Sequence, residues 1–375
     1  MSTLKSSSGE TEFMLTPTEQ MYVRLNIWLP CVWAVVRPRQ RAAGVDNSVH
    51  LSLAMVIRAF TAVSHRHPLL QARVVKNRLV LPPFDRLDEE IERELSSCVG
   101  LVPCSGGRDE AWTTFLHEMS DVHWKSNQKW ALQALQFPND EGAAFILRFN
   151  HAIMDGFSAV TVVRDFARAL CMCSTSSSSP QHLASIDCLG PTLPLPGPYE
   201  ERVPLKVVKS SVDDHLVSIT DDQWEILWKE THEAITKSMP SLKCIVHSLR
   251  LNQEETQSLV SLCKQHQVSV TSFLFAALAV SSGCHKLSST FPVSTRSPAN
   301  ADQVSFCISS LGIVVEFNPN DLWSTAKQVH TEIHNGLANG RHLMQSEADS
   351  GGLGITFLLK KFASDLPPCV STMCA

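Results

Sequence analysis

Strand-forming and helix-forming patterns follow one another directly in residues 143–170. Residues 143–150 read Ala-Ala-Phe-Ile-Leu-Arg-Phe-Asn, a composition typical of β-strands. A short interval follows, and apolar residues then recur at the spacing of an amphipathic helix. These residues are Phe157, Val160, Val163, Phe166, Ala167 and Leu170. The pattern predicts a strand, a tight loop and a helix with these apolar residues on one face.

Similar patterns occur along the rest of the chain. The sequence Thr-Pro-Thr-Glu at 16–19 is typical of a helix start with proline in the first helical position. Asn-Gln-Glu-Glu at 252–255 predicts a second cap, and a helix opens at Asn320 and runs toward Gly336. Because strands and helices alternate in both halves, we expect an α/β or α+β fold.

One long irregular segment divides the chain. A serine-rich run at 173–180 is followed by a proline-rich run at 191–198, a composition typical of a flexible or extended linker. The predicted parts are a disordered N-terminus, a first lobe, a linker that includes a short helix, and a second lobe (1–10, 11–172, 173–239 and 240–375).

Composition narrows the function classes. The chain has 375 residues, of which 44% are hydrophobic and 18% charged, so it can build a sizeable core. Its formal net charge of −5 and the lack of a basic stripe argue against nucleic-acid binding. The N-terminus is polar, unlike a secretory signal, and the apolar stretch at 25–36 is too short to cross a bilayer. We therefore expect a cytoplasmic protein without a transmembrane segment.

The cysteines predict neither a disulfide framework nor a metal site. Twelve cysteines are present, several of them within apolar runs, and reduced thiols are expected in the absence of a signal peptide. Cys171 and Cys173 have no second pair at zinc-ligand spacing, so no metal is expected.

The candidate chemistry lies in the loop after the 143–150 strand. His151 is followed four positions later by Asp155 and at once by Gly156. Histidine suits proton transfer near neutral pH because its ordinary pKa lies there. A nearby carboxylate can orient the imidazole directly or hold the loop. The glycine is open to two interpretations, an unobstructed path beside His151 or an ordinary helix start.

This stretch resembles the His-x-x-x-Asp-Gly motif of the CoA-dependent acyltransferase superfamily. Its members include alcohol acetyltransferases, chloramphenicol acetyltransferase and the condensation domains of peptide synthetases. Condensation domains usually carry a second histidine before the motif. Asn150 in that position favours the stand-alone acyltransferases.

Three further segments are similar to the same superfamily, in the same order. Residues 56–74 resemble its arginine-His-Pro-x-Leu turn, although Gln71 stands where arginine is common. Residues 243–279 resemble the strand and helices that open the second lobe. Residues 291–296, followed by the 311–315 strand, resemble a late strand that carries an arginine. The resemblance covers nearly the whole chain.

The resemblance implies a fold and a mechanism. The fold is two similar chloramphenicol-acetyltransferase-like lobes, each a mixed sheet flanked by helices, with the active site at their interface. His151 is the general base of acyl transfer, and Arg296 pairs with Asp155, which then holds the loop. The donor is acyl-CoA as a co-substrate, with no bound cofactor, and the acceptor is a small alcohol or amine. We expect a monomer.

The sequence contains no Gly-x-Ser-x-Gly elbow or phosphate-binding loop that would favour another enzyme class. Two points stay open. The chemistry requires an oxyanion stabiliser, for which Ser309 and Ser310 are candidates. The alternative is a non-catalytic, acyltransferase-like binding protein or a truncated pseudoenzyme, since the expected second lobe is short.

Overall fold

The structure is a computed structural model of the 375-residue chain. It describes residues 4–5, 11–14, 28–36, 51–75, 78–83, 88–103, 130–137, 143–175, 189–196, 202–204, 206–208, 251–281, 286–318 and 320–346. The helix predicted at 16–19, the short helix of the linker and the strand predicted at 243–251 lie wholly or almost wholly outside these residues.

The described residues form an alternation of strands and helices. The strands are β1 (Leu4–Lys5), β2 (Thr11–Met14), β3 (Trp28–Val36), β4 (Arg73–Val75), β5 (Arg78–Leu81), β6 (Val99–Pro103), β7 (Trp130–Gln136), β8 (Ala143–Asn150), β9 (Lys206–Val208), β10 (Lys286–Ser294), β11 (Ile308–Glu316) and β12 (Met344–Ser346). The helices are α1 (Leu53–Arg66), α2 (Asp88–Leu95), α3 (Gly156–Thr175), α4 (Gln253–Gln265), α5 (Val270–Ser281) and α6 (Leu322–Ala338). The mixed α/β class predicted from the sequence is confirmed.

The chain divides into two compact units. The first comprises Met1–Arg202, Lys243–Val246 and Arg296–Cys307. The second comprises Val203–Leu242, His247–Thr295 and Ile308–Ala375. The division differs from the predicted lobes in the placement of Arg296–Cys307. Arg296–Cys307, expected with the second lobe, belongs to the first unit because its backbone and Arg296 bond to residues of α3.

A mixed sheet and an antiparallel sheet build the first unit. The mixed sheet has the order β3-β8-β7-β6, in which β8 is antiparallel to both neighbours and β6 is parallel to β7. The antiparallel sheet has the order β1-β2-β5-β4. Every residue of β8 is buried, including Arg148 and Asn150. The strand predicted at 143–150 is thus confirmed, and it lies between β3 and β7.

Helices α1 and α3 pack together over one face of the mixed sheet. Phe60 of α1, Phe145 of β8 and Phe166 of α3 are fully buried. The ring centroid of Phe166 lies 5.7 Å from that of Phe60 and 4.9 Å from that of Phe145. Aromatic pairs prefer such separations. This core holds α1 and α3 against the mixed sheet.

The buried face of α3 differs from the predicted one. Phe157 and Val160 were expected on the apolar face, but they are 59% and 56% exposed. The polar residues Ser158 and Asp165 are buried instead, because hydrogen bonds and ion pairs satisfy them. Buried polar groups need such partners, and a pattern of apolar residues alone does not reveal them.

Part of the predicted linker is packed. Helix α3 extends to Thr175, into the serine-rich run. Within the proline-rich run, the amide of Leu193 donates to the carbonyl of Arg66 at 2.8 Å. The carbonyl of Pro194 accepts from the Gln303 side chain at 2.8 Å. These bonds tie residues 189–196 to the first unit, so this part is not the free segment that its composition predicted.

The second unit contains α4, α5, α6 and two short sheets. The capping box predicted at Asn252 and Glu255 is confirmed at the start of α4. Strand β11 pairs antiparallel with β10 and alternates buried and exposed residues along its length. The helix expected near residue 320 is α6, which is capped by the Asp321 side chain. None of the helices that the structure describes has the length and hydrophobicity of a transmembrane span.

Candidate active site

A tight turn between β8 and α3 presents His151. Strand β8 ends at Asn150, whose side-chain oxygen accepts from the amide of Ala152 at 2.9 Å. The Asn150 carbonyl accepts from the amide of Ile153 at 3.1 Å. Met154 and Asp155 follow, both fully buried, and α3 begins at Gly156. The turn is therefore fixed by its own backbone, as a site that must hold one side chain in place requires.

The imidazole of His151 has a defined tautomer. Its Nδ1 lies 3.0 Å from the carbonyl oxygen of Met154. A carbonyl oxygen only accepts hydrogen bonds, so Nδ1 carries the proton. In the neutral ring the lone pair then lies on Nε2. His151 is 8% exposed, and its Nε2 is the atom able to accept a proton.

Two phenyl rings contact the imidazole and help to bury it. The centroids of Phe306 and Phe149 lie 5.1 and 6.0 Å from that of His151, and both rings are nearly perpendicular to it. Burial lowers the pKa of His151 below its ordinary value, although the bond to the Met154 carbonyl and the charge of Asp155 act in the opposite direction. A lowered pKa keeps the imidazole neutral, and hence basic, over a wider pH range.

The carboxylate of Asp155 bonds to groups other than His151. Its Oδ1 accepts from the amide of Ser158 at 2.8 Å, which caps the N-terminus of α3. The same oxygen accepts from Arg296 Nη2 at 2.8 Å, and Oδ2 accepts from the amide of Cys307 at 2.9 Å. Of the two arrangements considered from the sequence, this geometry matches the one in which the aspartate holds the loop.

Arg296 forms hydrogen bonds to the backbone of the residues that follow it in the sequence. Its side chain is 7% exposed and forms a buried ion pair with Asp155. Nη1 donates to the carbonyl of Gln303 at 2.6 Å, and Nη2 donates to the carbonyl of Ser305 at 2.8 Å. Ser158 also accepts a hydrogen bond from Nη2. The guanidinium, with several fixed donors, is suited to joining a carboxylate to backbone carbonyls.

Sequence reasoning missed Ser158, Ser305 and Phe306. Ser158 is fully buried, and its hydroxyl donates to the carbonyl of Ser305 at 2.6 Å. The partners are 147 residues apart, so no local pattern could connect them. The only local signal was the position of Ser158, the third residue after a capping aspartate.

The remaining sequence candidates lie as follows. Gly156 is exposed, and a Cβ atom added there would meet no atom within 4 Å. This open space is compatible with both interpretations of the glycine. Ser309 is buried on β11, and its hydroxyl donates to the carbonyl of Val293 at 3.5 Å, whereas Ser310 is exposed on the same strand. Both belong to the second unit, and their role as oxyanion stabilisers stays a prediction.

A second buried polar cluster supports the turn after α1. Asp165 of α3 is 1% exposed and accepts from Arg66 Nε at 2.9 Å and from His67 Nε2 at 3.0 Å. Burial alone would raise the pKa of Asp165, but the bond from His67 and the charge of Arg164 outweigh it and lower the pKa. The arginine-His-Pro turn is thus tied to the helix that starts at the candidate site. Gln71, the last residue of this turn, donates to the carbonyl of Ser64 at 3.0 Å.

Metal-ligating side chains do not cluster in the part of the chain that the structure describes. No three histidine, cysteine, aspartate or glutamate residues lie there in an arrangement that could hold a metal ion.

Known structures share the fold at low sequence identity. The trichothecene 15-O-acetyltransferase TRI3 of Fusarium sporotrichioides matches with a TM-score of 0.61 and 14% identity, over 96% of this chain and 78% of that one. Polyketide synthase associated protein 5 of Mycobacterium tuberculosis matches with a TM-score of 0.50 and 16% identity, over 88% and 72% of the two chains. SgcC5 of Streptomyces globisporus matches with a TM-score of 0.50 and 12% identity, over 94% and 78%. At these identities the matches show the fold alone.

The family is shown at the level of sequence. No curated protein matches the chain significantly. The model of the alcohol acetyltransferase family, however, matches residues 114–350, which is more than half of the chain and includes His151, Asp155 and Arg296. The chain belongs to the alcohol acetyltransferase family.

Proposed function

We propose that this acyltransferase moves an acyl group from a CoA thioester to a hydroxyl, with an amine as the second acceptor class, and that His151 is the general base. The observation that carries the proposal is the hydrogen bond from His151 Nδ1 to the Met154 carbonyl, at 3.0 Å. It leaves Nε2 as the proton acceptor of a buried imidazole. This is the state that a general base needs before reaction.

The reaction then proceeds without a covalent enzyme intermediate. Nε2 takes the proton from the acceptor hydroxyl while the hydroxyl oxygen attacks the thioester carbonyl. The tetrahedral intermediate collapses by breaking the carbon–sulfur bond. The imidazolium returns the proton to the leaving thiolate, so the products are an ester and free CoA. Acyl-CoA is a co-substrate in this scheme and not a bound cofactor.

Asp155 and Arg296 support the base indirectly, through the loop that carries it. The carboxylate bonds to the start of α3, to Arg296 and to the amide of Cys307. Its negative charge also raises the pKa of His151 against the effect of burial. Removal of either member of the ion pair leaves a buried charge without its partner, which is costly. Their proposed role is therefore to hold the loop that carries His151.

The family and one structural neighbour guide the choice of substrates. The family model describes alcohol acetyltransferases, and TRI3 is a 15-O-acetyltransferase of trichothecenes. We therefore place acetyl-CoA first among donors and alcohols before amines among acceptors. An oxyanion donor is required as well, and Ser309 and Ser310 stay its candidates.

A thiol-release assay tests this proposal. Purified protein is mixed with acetyl-CoA or a longer acyl-CoA and a panel of alcohols and amines, and free thiol is followed with a thiol-reactive dye. Reactions without acceptor measure simple hydrolysis. Mass spectrometry of the products identifies an ester or an amide. Acceptor-dependent thiol release with matching product is expected, whereas binding of acyl-CoA without turnover would favour the non-catalytic alternative.

A further inference from the structure

One short segment reaches His151 from far along the chain. Residues 304–307, hereafter the 304–307 segment, are Val304, Ser305, Phe306 and Cys307, and each is at most 3% exposed. The segment belongs to the same compact unit as His151. The ring of Phe306 lies edge-to-face against the imidazole of His151.

The backbone of the 304–307 segment is bonded to α3. The hydroxyl of Ser158 accepts from the amide of Ser305 at 2.9 Å and donates to its carbonyl at 2.6 Å. The amide of Cys307 donates to Asp155 Oδ2 at 2.9 Å. The residues on both sides of Phe306 are therefore fixed to the first turn of the helix that follows His151.

Two arginines complete this attachment. Arg296 Nη2 donates to the carbonyl of Ser305 at 2.8 Å. Arg202 Nη1 donates to the carbonyl of Phe306 itself. Hydrogen bonds with charged donors are roughly twice as strong as neutral ones. The position of the Phe306 backbone is thus set by groups that include the Asp155–Arg296 ion pair.

The contact between the rings has a defined geometry. The centroids of Phe306 and His151 lie 5.1 Å apart at an interplanar angle of 88°. Phe149 contacts the same imidazole at 6.0 Å and 86°. Edge-to-face packing is one of the two arrangements that aromatic rings prefer at such distances. Together with the bond from Nδ1 to the Met154 carbonyl, the two phenyl rings restrict rotation of the imidazole about the Cβ–Cγ bond of His151.

We propose that Phe306 is a positioning residue for acyl transfer, which holds the plane of the His151 ring and keeps water from it. The inference rests on the proposed function of His151. In this arrangement the Asp155–Arg296 pair acts on His151 in a second way, because it also fixes the 304–307 segment that carries Phe306. An error of about 1 Å in the position of a catalytic group can lower the rate about a hundredfold.

Phe306→Leu tests the inference, with Phe166→Leu as its matched control. Both variants replace a buried phenylalanine of the first unit with the same smaller apolar residue. Phe166 packs against Phe60 and Phe145 in the core. Both variants retain Asp155, the charged side chain whose field acts on His151.

The first readout does not depend on activity. The imidazole of His151 is titrated by NMR in labelled protein, and its signal is identified by its loss in His151→Ala. Because burial lowers the pKa of His151, Phe306→Leu should raise that pKa toward the ordinary value of about 6.5. Phe166→Leu should leave it unchanged. An unchanged titration in Phe306→Leu, or an equal shift in both variants, would overturn the inference.

The second readout separates positioning from folding. Phe306→Leu should lower kcat about tenfold or more, with KM changed less than about twofold. Phe306→Tyr, which keeps the ring, should recover most of the loss. Equal damage to kcat in Phe166→Leu would also contradict the inference. If the wild-type protein released no thiol while the NMR shift occurred, the proposed function would fail and the hold of Phe306 on His151 would stand.

Discussion

At the residue scale, the proposed chemistry depends on the state of one imidazole. His151 is buried beside two phenyl rings, and its Nδ1 donates to the Met154 carbonyl. The sequence alone predicted a site at His151, Asp155 and Arg296, because a short motif and a family resemblance point to them, and the structure brings the three residues into one unit. It did not identify Phe306 or Ser158, since these residues act through contacts between distant parts of the chain. A phenylalanine and a serine in apolar surroundings also have no pattern that separates them from ordinary core residues.

The pH dependence of turnover follows from this environment. A general base must be neutral, so with His151 in that role kcat/KM should rise with pH through the pKa of His151. Because burial lowers that pKa, the acid limb should have its midpoint below about 6.5, the ordinary value for histidine. The profile of kcat/KM between about pH 5 and 8 measures it. A midpoint clearly above the ordinary value would show that burial does not control this group.

The ion pair between Asp155 and Arg296 gives a prediction about coupling. Asp155→Asn and Arg296→Ala should each lower both stability and activity, because each leaves a buried partner without its counter-charge. The double variant should be less harmful than the sum of the two single variants. The free energies of unfolding of the four proteins in this cycle measure the coupling. Strict additivity would argue against the pair.

At the element scale, α3 joins the two polar clusters of the first unit. Asp155 caps its N-terminus, and Asp165 further along the same helix binds Arg66 and His67 at the end of α1. The sequence predicted this helix correctly, but the apolar pattern that predicted it included Phe157 and Val160, which are exposed. The error has a physical cause, since hydrogen-bonded polar residues occupy buried positions that a hydrophobic pattern assigns to apolar ones.

Asp165→Asn should destabilise the contact between α1 and α3. At neutral pH it should lower the free energy of unfolding by roughly 3–5 kcal/mol, because it removes one partner of a buried cluster. The folded-state pKa of Asp165 is lowered, so its contribution is present above the unfolded value of about 3.9 and is lost as pH falls through the folded value. The difference between variant and wild type should therefore shrink below about pH 4.

The control is the neighbouring pair of Arg164 and Asp302, whose side chains are 41% and 53% exposed. Asp302→Asn should cost about 0–1 kcal/mol, as is usual for exposed ion pairs. Denaturant unfolding of both variants at neutral and acid pH makes the comparison. Equal effects of the two substitutions would show that the Asp165 cluster adds nothing beyond a surface pair.

At the scale of the whole molecule, the position of a residue in the sequence does not decide which compact unit it belongs to. The sequence predicted the α/β class and the family, because motifs and alternating patterns are local. It assigned Arg296–Cys307 to the second lobe, whereas the structure groups it with the first unit. Hydrogen bonds to Ser158 and Asp155 cause this grouping. Such bonds between distant residues leave no periodic signal.

Limited proteolysis tests whether the two parts of the 173–198 segment differ in their resistance to cleavage. Residues 189–196 are bonded to the first unit through Leu193 and Pro194, and bonded backbone resists cleavage. The serine-rich run at 174–179 has no apolar pattern to pack. A nonspecific protease should therefore cut within 174–188 before it cuts within 189–196. Mass spectrometry of the first fragments gives the order, and early cleavage within 189–196 would contradict the bonds described.

The most direct test of the account compares His151→Ala with the wild-type protein in the thiol-release assay. A matched control is His65→Ala, which removes a partly buried histidine of the same unit that bonds to Asp88. His151→Ala should lower acceptor-dependent turnover roughly a hundredfold or more, with an unchanged far-ultraviolet circular dichroism spectrum. His65→Ala should retain most of the activity. Near-normal turnover in folded His151→Ala would contradict the assignment of His151 as the general base.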